Sequence, residues 1–305
     1  MNTEKFSTTE VVELLSLVTA DATGQDLSHT PADSPQRFYG NHTFLHLRIL
    51  RREKRAADLT RLWFAVDSTA KTYDWSVPNL ALRLEIPVTP EEFADIQQAP
   101  KTASRAYTVA DYDVERSEFA VDFVEHGTTS PVMQWLSTVN VGDAIYSWEP
   151  TQHRVPEACQ HLLLVADATA LPAALSILRD HRVFTTATVI TSADPAHLDH
   201  DYPFLSNVEI HHCSAQTGEL SGRVVQGEWS CDAVWACGES GEMKPIRAHA
   251  KKVWELPKQR LQVFGYWRRE HSGTASDLTR LRVMRDAMAQ GEDPEAVEQR
   301  LEEIL

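Results

Sequence analysis

Two stretches organise this chain: Arg105-Ala106-Tyr107-Thr108-Val109, and the run from Asp122-Phe123-Val124-Glu125-His126-Gly127 through Ser130-Pro131 to Trp135. The first offers a cation, an aromatic ring and a hydroxyl along one predicted strand. The second ends a strand in a glycine turn and begins a helix, whose N-terminal N–H groups can bind an anion. A flavin dinucleotide needs a flat wall for its ring, and N–H groups with an arginine for its pyrophosphate. We therefore interpret the two stretches as a flavin site.

The region around these stretches, from about 43 to 155, has the pattern of short strands. Period-2 alternation with turn residues between the runs predicts an antiparallel barrel or sandwich. The exception is Pro131 to Val139, a predicted helix with Ser130 as N-cap and Pro131 in its first turn. The alternating runs are Leu45–Ile49, Leu62–Val66, Leu80–Ile86, Phe119–Phe123 and Ala144–Tyr146.

From about 156 to 270 the pattern changes to alternating strands and helices. His161-Leu162-Leu163-Leu164-Val165 is a continuous apolar run, typical of a strand buried on both faces. Helices are predicted over Leu171–Arg179 and Lys244–Trp254, and further strands over 186–191, 208–212, 233–237 and 261–266. This order predicts a parallel α/β sheet. The usual dinucleotide fingerprint, G-x-G-x-x-G, is absent.

Helical segments are predicted at both ends. Residues 3–20 form an amphipathic helix with Thr8 or Thr9 as its cap, and residues 21–42 have the composition of a linker. Residues 271–305 predict a helical hairpin: an apolar stripe from Leu278 to Met288, a stop at Gly291, and a second piece starting at Asp293-Pro294. We thus expect four segments: 1–42, 43–155, 156–270 and 271–305.

Composition excludes several classes of partner. The chain has 305 residues, with 44 acidic against 29 basic, and a net charge of −15. This balance argues against nucleic acid or an anionic membrane as the main partner, although it permits a local basic pocket. The four cysteines have no disulfide-framework or metal spacing, which favours small buried residues in a reducing compartment. Without a signal peptide or an apolar span, we expect a cytoplasmic protein with no integral membrane segment.

Taken together, the motifs resemble the siderophore-interacting protein family, the FAD-dependent ferric-siderophore reductases of the ferredoxin reductase superfamily. The resemblance covers about 43 to 269 and rests on the order of four short motifs. They are R-x-Y-T at Arg105–Thr108, D-F-V-x-H-G-x-x-G-P-A-S-x-W at Asp122–Trp135, G-D-E-T-A-L-P at Ala166–Pro172, and W-x-A-G-E at Trp235–Glu239 followed by G-Y-W-R at Gly265–Arg268.

The resemblance implies an FAD-binding barrel at 43–155 and an NAD(P)H-binding α/β domain at 156–270. In it Arg105 faces the pyrophosphate, Tyr107 packs on the flavin ring and Thr108 bonds the ring edge. Because the cofactors carry the electrons, no catalytic side chain and no metal ligand is expected. The other implied cofactor contacts are Asp122, Val124, His126, Ser130, Pro131, Val132, Trp135, Asp167, Thr169, Gly238, Glu239 and Trp267.

The implied activity passes electrons from NADH or NADPH through FAD to Fe(III) in a siderophore. Hard oxygen donors hold Fe(III) better than Fe(II), so reduction releases the iron. Arg268 and Arg269 are the candidate cations for an anionic chelate, with Arg83 and Lys101 as weaker ones. Asp194 follows the second strand of the sheet and leans towards NADH, because a carboxylate repels a 2′-phosphate. A ferredoxin is an alternative electron donor.

Several positions depart from the family pattern. Ser130 replaces a glycine, Val132 a small residue and Met133 a serine, while Ala166 and Ala168 replace glycine and glutamate. A lost hydrogen bond to a charged group is worth about 1.5–3 kcal/mol, so FAD is expected to be held loosely. Two alternatives therefore stay open. One is a non-catalytic or weakly flavin-binding relative that binds a siderophore, and the other is a general flavin or ferric-chelate reductase.

Two further interpretations concern isolated side chains. Trp267 is either a core aromatic or the residue that covers the flavin or nicotinamide, and His126 is either a turn residue or a ligand contact. Four more histidines lack a metal-site pattern and are predicted to be solvated. These are His197, His200, His211 and His212.

Overall fold

The computed structural model describes residues 6–19, 43–66, 72–87, 102–127, 130–180, 182–198, 205–269, 273–293, 296–297 and 300–301. The first large unit is a closed antiparallel barrel, as the alternating runs predict. Its strands pair in the order β4-β5-β2-β1-β6-β3, and β3 pairs back with β4. They are β1 (Phe44–Ala56), β2 (Leu59–Val66), β3 (Leu80–Ile86), β4 (Ala103–Asp113), β5 (Glu118–Val124) and β6 (Ala144–Trp148), and the short β7 (Thr151–Gln152) adds to β3.

The barrel interior is filled by the alternating apolar side chains. Phe64 and Phe119 stack there at 5.6 Å between ring centroids, and both are fully buried. Helix α2 (Pro131–Thr138) packs Trp135 against this core. The predicted cap and first turn of α2 are confirmed: the Ser130 hydroxyl accepts from the Met133 N–H at 3.3 Å, and Pro131 occupies the first turn.

The second unit is a parallel five-stranded sheet, which confirms the predicted α/β pattern. The strand order is β10-β9-β8-β11-β12, with β8 (Cys159–Ala166), β9 (Phe184–Thr191), β10 (Val208–His212), β11 (Ala233–Glu239) and β12 (Leu261–Trp267). Helix α3 (Leu171–Leu178) covers one face, and α4 (Glu219–Gln226) with α5 (Ser240–Lys252) covers the other. The strand order reverses between β8 and β11, and ligands of such sheets bind at the carboxyl ends on either side of that point.

Two helices of this unit differ from the sequence expectation. Helix α5 begins at Ser240, not Lys244, because the Glu239 carboxylate caps it by accepting from the Glu242 N–H at 3.1 Å, and Pro245 lies inside the helix. Helix α4 was not predicted. It is mostly polar and buries only a narrow stripe that includes Leu220 and Val224, too short a pattern to stand out in the sequence.

The terminal helices pack on each other. Helix α1 (Thr8–Thr19) buries Leu14 against Leu278 of α6 (Gly273–Gln290), and Arg282 donates to the Glu10 carboxylate at 2.7 and 3.0 Å. The cap of α1 is Ser7, whose hydroxyl accepts from the Glu10 N–H, and not Thr8 or Thr9 as predicted. The predicted stripe on α6 is only partly buried: Met284 and Met288 are exposed.

Some predictions fall outside the described residues. They are both ends of the predicted N-terminal helix (3–5 and 20), the linker from 21 to 42, and parts of the second tail helix (294–295, 298–299 and 302–305). Within the described part of the chain, no helix has both the length and the apolarity to cross a membrane.

Side chains of the sheet unit fix it to the barrel. The Ser176 hydroxyl of α3 accepts from the Asn79 N–H at 2.9 Å, and Arg179 donates to the Ala110 carbonyl at 2.6 Å. His197, predicted to be solvated, is instead buried and lies 2.6 Å from the Asp58 carboxylate in the β1–β2 turn. That hydrogen bond holds the pKa of Asp58 below its usual range. These contacts hold the sheet unit against the barrel.

Candidate cofactor site

The two organising stretches lie on either side of a split between β4 and β5. These strands pair only from Val109 opposite Val121 outward to Asp113 opposite Glu118. Towards the other end, β4 stays on β3 as far as Ala103 while β5 stays on β2 as far as Val124. The strands therefore diverge, and Arg105–Thr108 forms one lip of the split and Asp122–Val124 the other.

Aromatic packing braces the split. The Tyr107 ring lies 4.6 Å from Phe123, which lies 5.7 Å from Trp135 of α2. Burial raises the pKa of the Tyr107 hydroxyl far above its ordinary value, so the phenol stays neutral. Arg105 donates to the Ser104 carbonyl at 2.7 Å beside it. Phe123 thus braces the Tyr107 ring from the β5 side of the split, and Trp135 of α2 supports Phe123 in turn.

Two positions at the start of α2 have no N–H group available to a ligand. Pro131 has no N–H group, and the Met133 N–H is used by the Ser130 hydroxyl. The Val132 and Met133 side chains are buried in the barrel core, so the methionine in place of serine serves packing. Val124 is partly buried and His126, just after β5, is exposed.

Asp122 has a partner within the barrel. Both of its carboxylate oxygens accept from Arg61, at 2.7 and 2.9 Å, and Arg61 also donates to Asp111 at 3.0 Å. The side chains of Arg61 and Asp122 are 6% and 8% exposed. The residue that the motif assigns to cofactor binding is therefore part of a buried ion pair.

The third and fourth motifs meet at the carboxylate of Asp167, just after β8. One oxygen accepts from the Thr169 N–H at 2.9 Å, the Thr169 hydroxyl at 2.6 Å and the Ala170 N–H at 3.1 Å. The other accepts from the Glu239 N–H at 3.0 Å and from the indole N–H of Trp267 at 2.7 Å. Asp167, Thr169, Glu239 and Trp267 form one network at the reversal of strand order.

Backbone geometry admits this network. Gly238 has φ +151°, and a Cβ added there would lie 2.7 Å from the Asp167 carboxylate. Burial raises the pKa of Asp167, while hydrogen bonds from Thr169 and Trp267 act in the opposite direction. The Glu239 carboxylate accepts from the Arg269 N–H at 3.2 Å, which holds the chain just after Trp267.

Tyr266 connects this network to the split barrel, and the sequence did not single it out. Its buried hydroxyl lies beside the Cys237 thiol and the Thr108 hydroxyl, yet it makes no hydrogen bond of good geometry within the described chain. A buried donor without a partner costs about 1–3 kcal/mol, so an acceptor on a bound ring would stabilise it. Together with the split, this orphaned hydroxyl fits a flavin at the junction of barrel and sheet. The only sequence signal was its place inside G-Y-W-R.

The predicted cations differ in their surroundings. The Arg269 guanidinium lies 5.7 Å from the Trp267 ring centroid, and Arg268 precedes it at the end of β12. Arg83 donates to Asp277 of α6 at 2.6 Å and to Ser104 at 2.9 Å, which makes it a weak candidate for a chelate. Lys101 lies outside the described residues, as does His200. The Asp194 carboxylate accepts from the Ala196 N–H at 2.8 Å at the carboxyl end of β9.

Both units of the chain match family models of siderophore-interacting proteins. Residues 49–154 match the family model of the siderophore-interacting FAD-binding domain, and residues 159–270 match that of the siderophore-interacting protein. A ferric acinetobactin reductase from Acinetobacter baumannii is 30% identical over 225 residues, which cover 71% of this chain and 76% of the relative.

Two solved structures show the same fold. The siderophore-interacting protein from A. baumannii superposes with a TM-score of 0.66 at 25% identity, over 81% of this chain and 99% of that one. Phthalate dioxygenase reductase superposes with a TM-score of 0.55 at 17% identity, over 76% and 70%. The barrel and sheet are therefore a ferredoxin reductase-like pair, and the chain belongs to the siderophore-interacting protein family.

Proposed function

We propose that this protein reduces Fe(III) held in a siderophore at the expense of NADH or NADPH, with FAD bound at the split of the barrel. The observation that carries the proposal is the junction at Tyr266, where the R-x-Y-T strand meets the Asp167 network. A ferric siderophore reductase is also what the A. baumannii relative is named. When bound, FAD accepts two electrons from a reduced nicotinamide and gives them singly to iron.

On the barrel side, we assign the residues to binding and orienting FAD. Arg105 and the start of α2 supply positive charge and N–H groups for the pyrophosphate. Tyr107 presents a neutral ring braced by Phe123, and Thr108 with Tyr266 offers hydroxyls to the ring edge. Because these groups come from rigid strands, they need little reorganisation on binding.

On the sheet side, the carboxyl ends of β8 and β11 form the nicotinamide edge. Asp194 at the end of β9 suits a ribose 2′-hydroxyl, so we propose NADH over NADPH. Arg268 and Arg269, just after β12, give positive charge at the mouth of this edge in a chain of net charge −15. An anionic chelate would be attracted there.

The test is anaerobic reduction of the FAD-reconstituted protein. We expect NADH to bleach the visible flavin band, and a ferrous-selective chelator to capture Fe(II) when a ferric siderophore is then added. Free FAD at the same concentration is the control. If the flavin band does not change with either nicotinamide, the proposal is wrong. If free flavin is reduced much faster than any ferric chelate, a general flavin reductase is the better description.

One observation favours a second candidate, a weakly flavin-binding relative. The Ser130 cap occupies an N–H group at the anion end of α2. Ser130→Gly costs the helix only a few tenths of a kcal/mol and frees the Met133 N–H. A hydrogen bond to a charged group is worth about 1.5–3 kcal/mol, so we expect the Kd for FAD to fall about tenfold or more. Fluorescence titration measures this.

The matched control for that change is Ser137→Gly. Ser137 lies in the last turn of the same helix and its hydroxyl donates to the Gln134 carbonyl. It should leave the Kd for FAD unchanged, because the last turn is far from the anion end. A Kd that is the same in Ser130→Gly and the unmodified protein would show that the pyrophosphate is not held by this helix.

A further inference from the structure

The Asp167 carboxylate has no capacity left for a ligand. A carboxylate offers about four lone-pair positions, and five protein donors already approach its two oxygens at 2.6–3.1 Å. Three of these donors come from Thr169 and Ala170 in the turn after β8, and a fourth is the backbone N–H of Glu239, the last residue of β11. The fifth, the indole N–H of Trp267, comes from the end of β12.

The place of this carboxylate is built into the backbone. Gly238 alone leaves room for it, since any Cβ there would lie 2.7 Å from Oδ2 and 2.8 Å from Cγ. The turn after β8 and the end of β11 therefore hold Asp167 in place, and the indole N–H of Trp267 completes its set of donors.

Trp267 is held at both its backbone and its ring. Its carbonyl accepts from the Ser240 hydroxyl at 3.1 Å, and the next turn is tied by the Arg269 N–H to Glu239. The residue is nevertheless 40% exposed, so its ring is not a core aromatic. An exposed ring with a fixed orientation is a surface prepared for stacking.

We propose that Asp167 is a positioning residue: it binds no cofactor directly and fixes the exposed Trp267 indole as an aromatic wall at the carboxyl edge of the sheet. The inference rests on the proposed function for the identity of the stacked ring, but the anchor itself is a property of the protein alone. This proposal replaces the assignment of Asp167 as a cofactor contact. Of the two interpretations of Trp267, it favours a ring that covers a cofactor over a core aromatic.

The anchor is tested on the full chain by ¹H–¹⁵N spectroscopy without any cofactor. The chain has eight tryptophans, and Trp267→Phe identifies the indole signal of Trp267 by its disappearance. We expect this N–H to exchange slowly with solvent despite the exposed ring, and to shift upfield and exchange faster in Asp167→Asn. Asp194→Asn, which changes another carboxylate at the same edge of the sheet, should leave it in place. Fast exchange in the unmodified protein would overturn the anchor, even if Asp167→Asn failed to fold.

The functional consequence is tested on the FAD-loaded protein. A displaced wall is expected to slow reduction by NADH about tenfold to a hundredfold in Asp167→Asn. In a Trp267→Phe background the same change should have little further effect, because Asp167 acts through the indole. Equal losses in both backgrounds would mean that Asp167 contacts the nicotinamide directly. If no flavin were bound at all, the proposed function would fail while the indole signal still reported the anchor.

Discussion

Asp122→Ala is expected to lower the free energy of unfolding by about 3 kcal/mol, the lower end of the range for breaking a buried ion pair. The change leaves the 6%-exposed Arg61 side chain without its bidentate partner. The loss stays at the lower end because Asp111, at 3.0 Å, remains on the same guanidinium. Urea unfolding of the apoprotein measures the difference. Because the ion pair lies within the barrel, the loss of stability should be the same with and without FAD.

Two further variants define the origin of that loss. Arg116→Ala breaks an ion pair with Asp113 in which the arginine is 67% exposed, and it should leave the urea midpoint close to that of the unmodified protein because exposed pairs contribute little to stability. Arg61→Met combined with Asp122→Leu removes both buried charges and should be close to the unmodified protein in stability. If Asp122→Ala instead kept full stability and lost FAD affinity, the carboxylate would be a cofactor contact and not a structural one.

The elements that the sequence predicts well are those with local causes. Alternation along β1 to β6 and the apolar run of β8 depend only on neighbours in the chain, so barrel and parallel sheet followed from them. The cap of α2 is equally local. At the start of α1, Ser7, Thr8 and Thr9 are chemically alike, so the choice of cap depends on helix register. The start of α5 was misplaced because Glu239, read only as a motif residue, is also its cap.

The candidate site divides in the same way. The motifs identified which residues gather, since Asp167, Thr169, Glu239 and Trp267 do form one network. The motifs did not predict the hydrogen-bond partners of the Asp122 and Asp167 carboxylates, because these partners are distant in the chain. Arg61 is 61 residues from Asp122, and Trp267 is 100 residues from Asp167. A family motif marks the position of a charged group without indicating whether ligand or protein neutralises it.

The positions that depart from the family motif differ in whether packing compensates for the substitution. Met133 and Val132 depart from the pattern yet are buried in the barrel core, so their substitution is compensated by packing. Ser130 departs as well, and its hydroxyl takes a hydrogen bond that a phosphate would otherwise use. In the FAD site that we propose, the phosphate side would therefore lack one N–H donor, whereas Tyr107 and Tyr266, which we assign to the ring side, match the family pattern.

Gly238→Ala is expected to destabilise the protein more than any other single glycine change near the site. A Cβ 2.7 Å from the Asp167 carboxylate forces overpacking, which costs about 1–3 kcal/mol. The φ of +151° adds backbone strain of about 1–3 kcal/mol for a residue with a side chain. Asp167 is too short to move away without losing its five donors. Urea unfolding should show the combined loss, and the Trp267 indole signal should move as in Asp167→Asn.

Two other glycines separate these contributions. Gly218 has φ +85° but open space at its Cβ, so Gly218→Ala should show the strain alone. Gly222, within α4, meets only the flexible Gln226 side chain at 3.9 Å, and alanine there should stabilise the helix by up to about 1 kcal/mol. If Gly238→Ala lowered the free energy of unfolding no more than Gly218→Ala, the Asp167 carboxylate would be able to move away from the new Cβ. The close approach at Gly238 would then not be what fixes Trp267. A larger loss accompanied by a shifted indole signal would mean that one glycine holds the sheet side of the site in its working geometry.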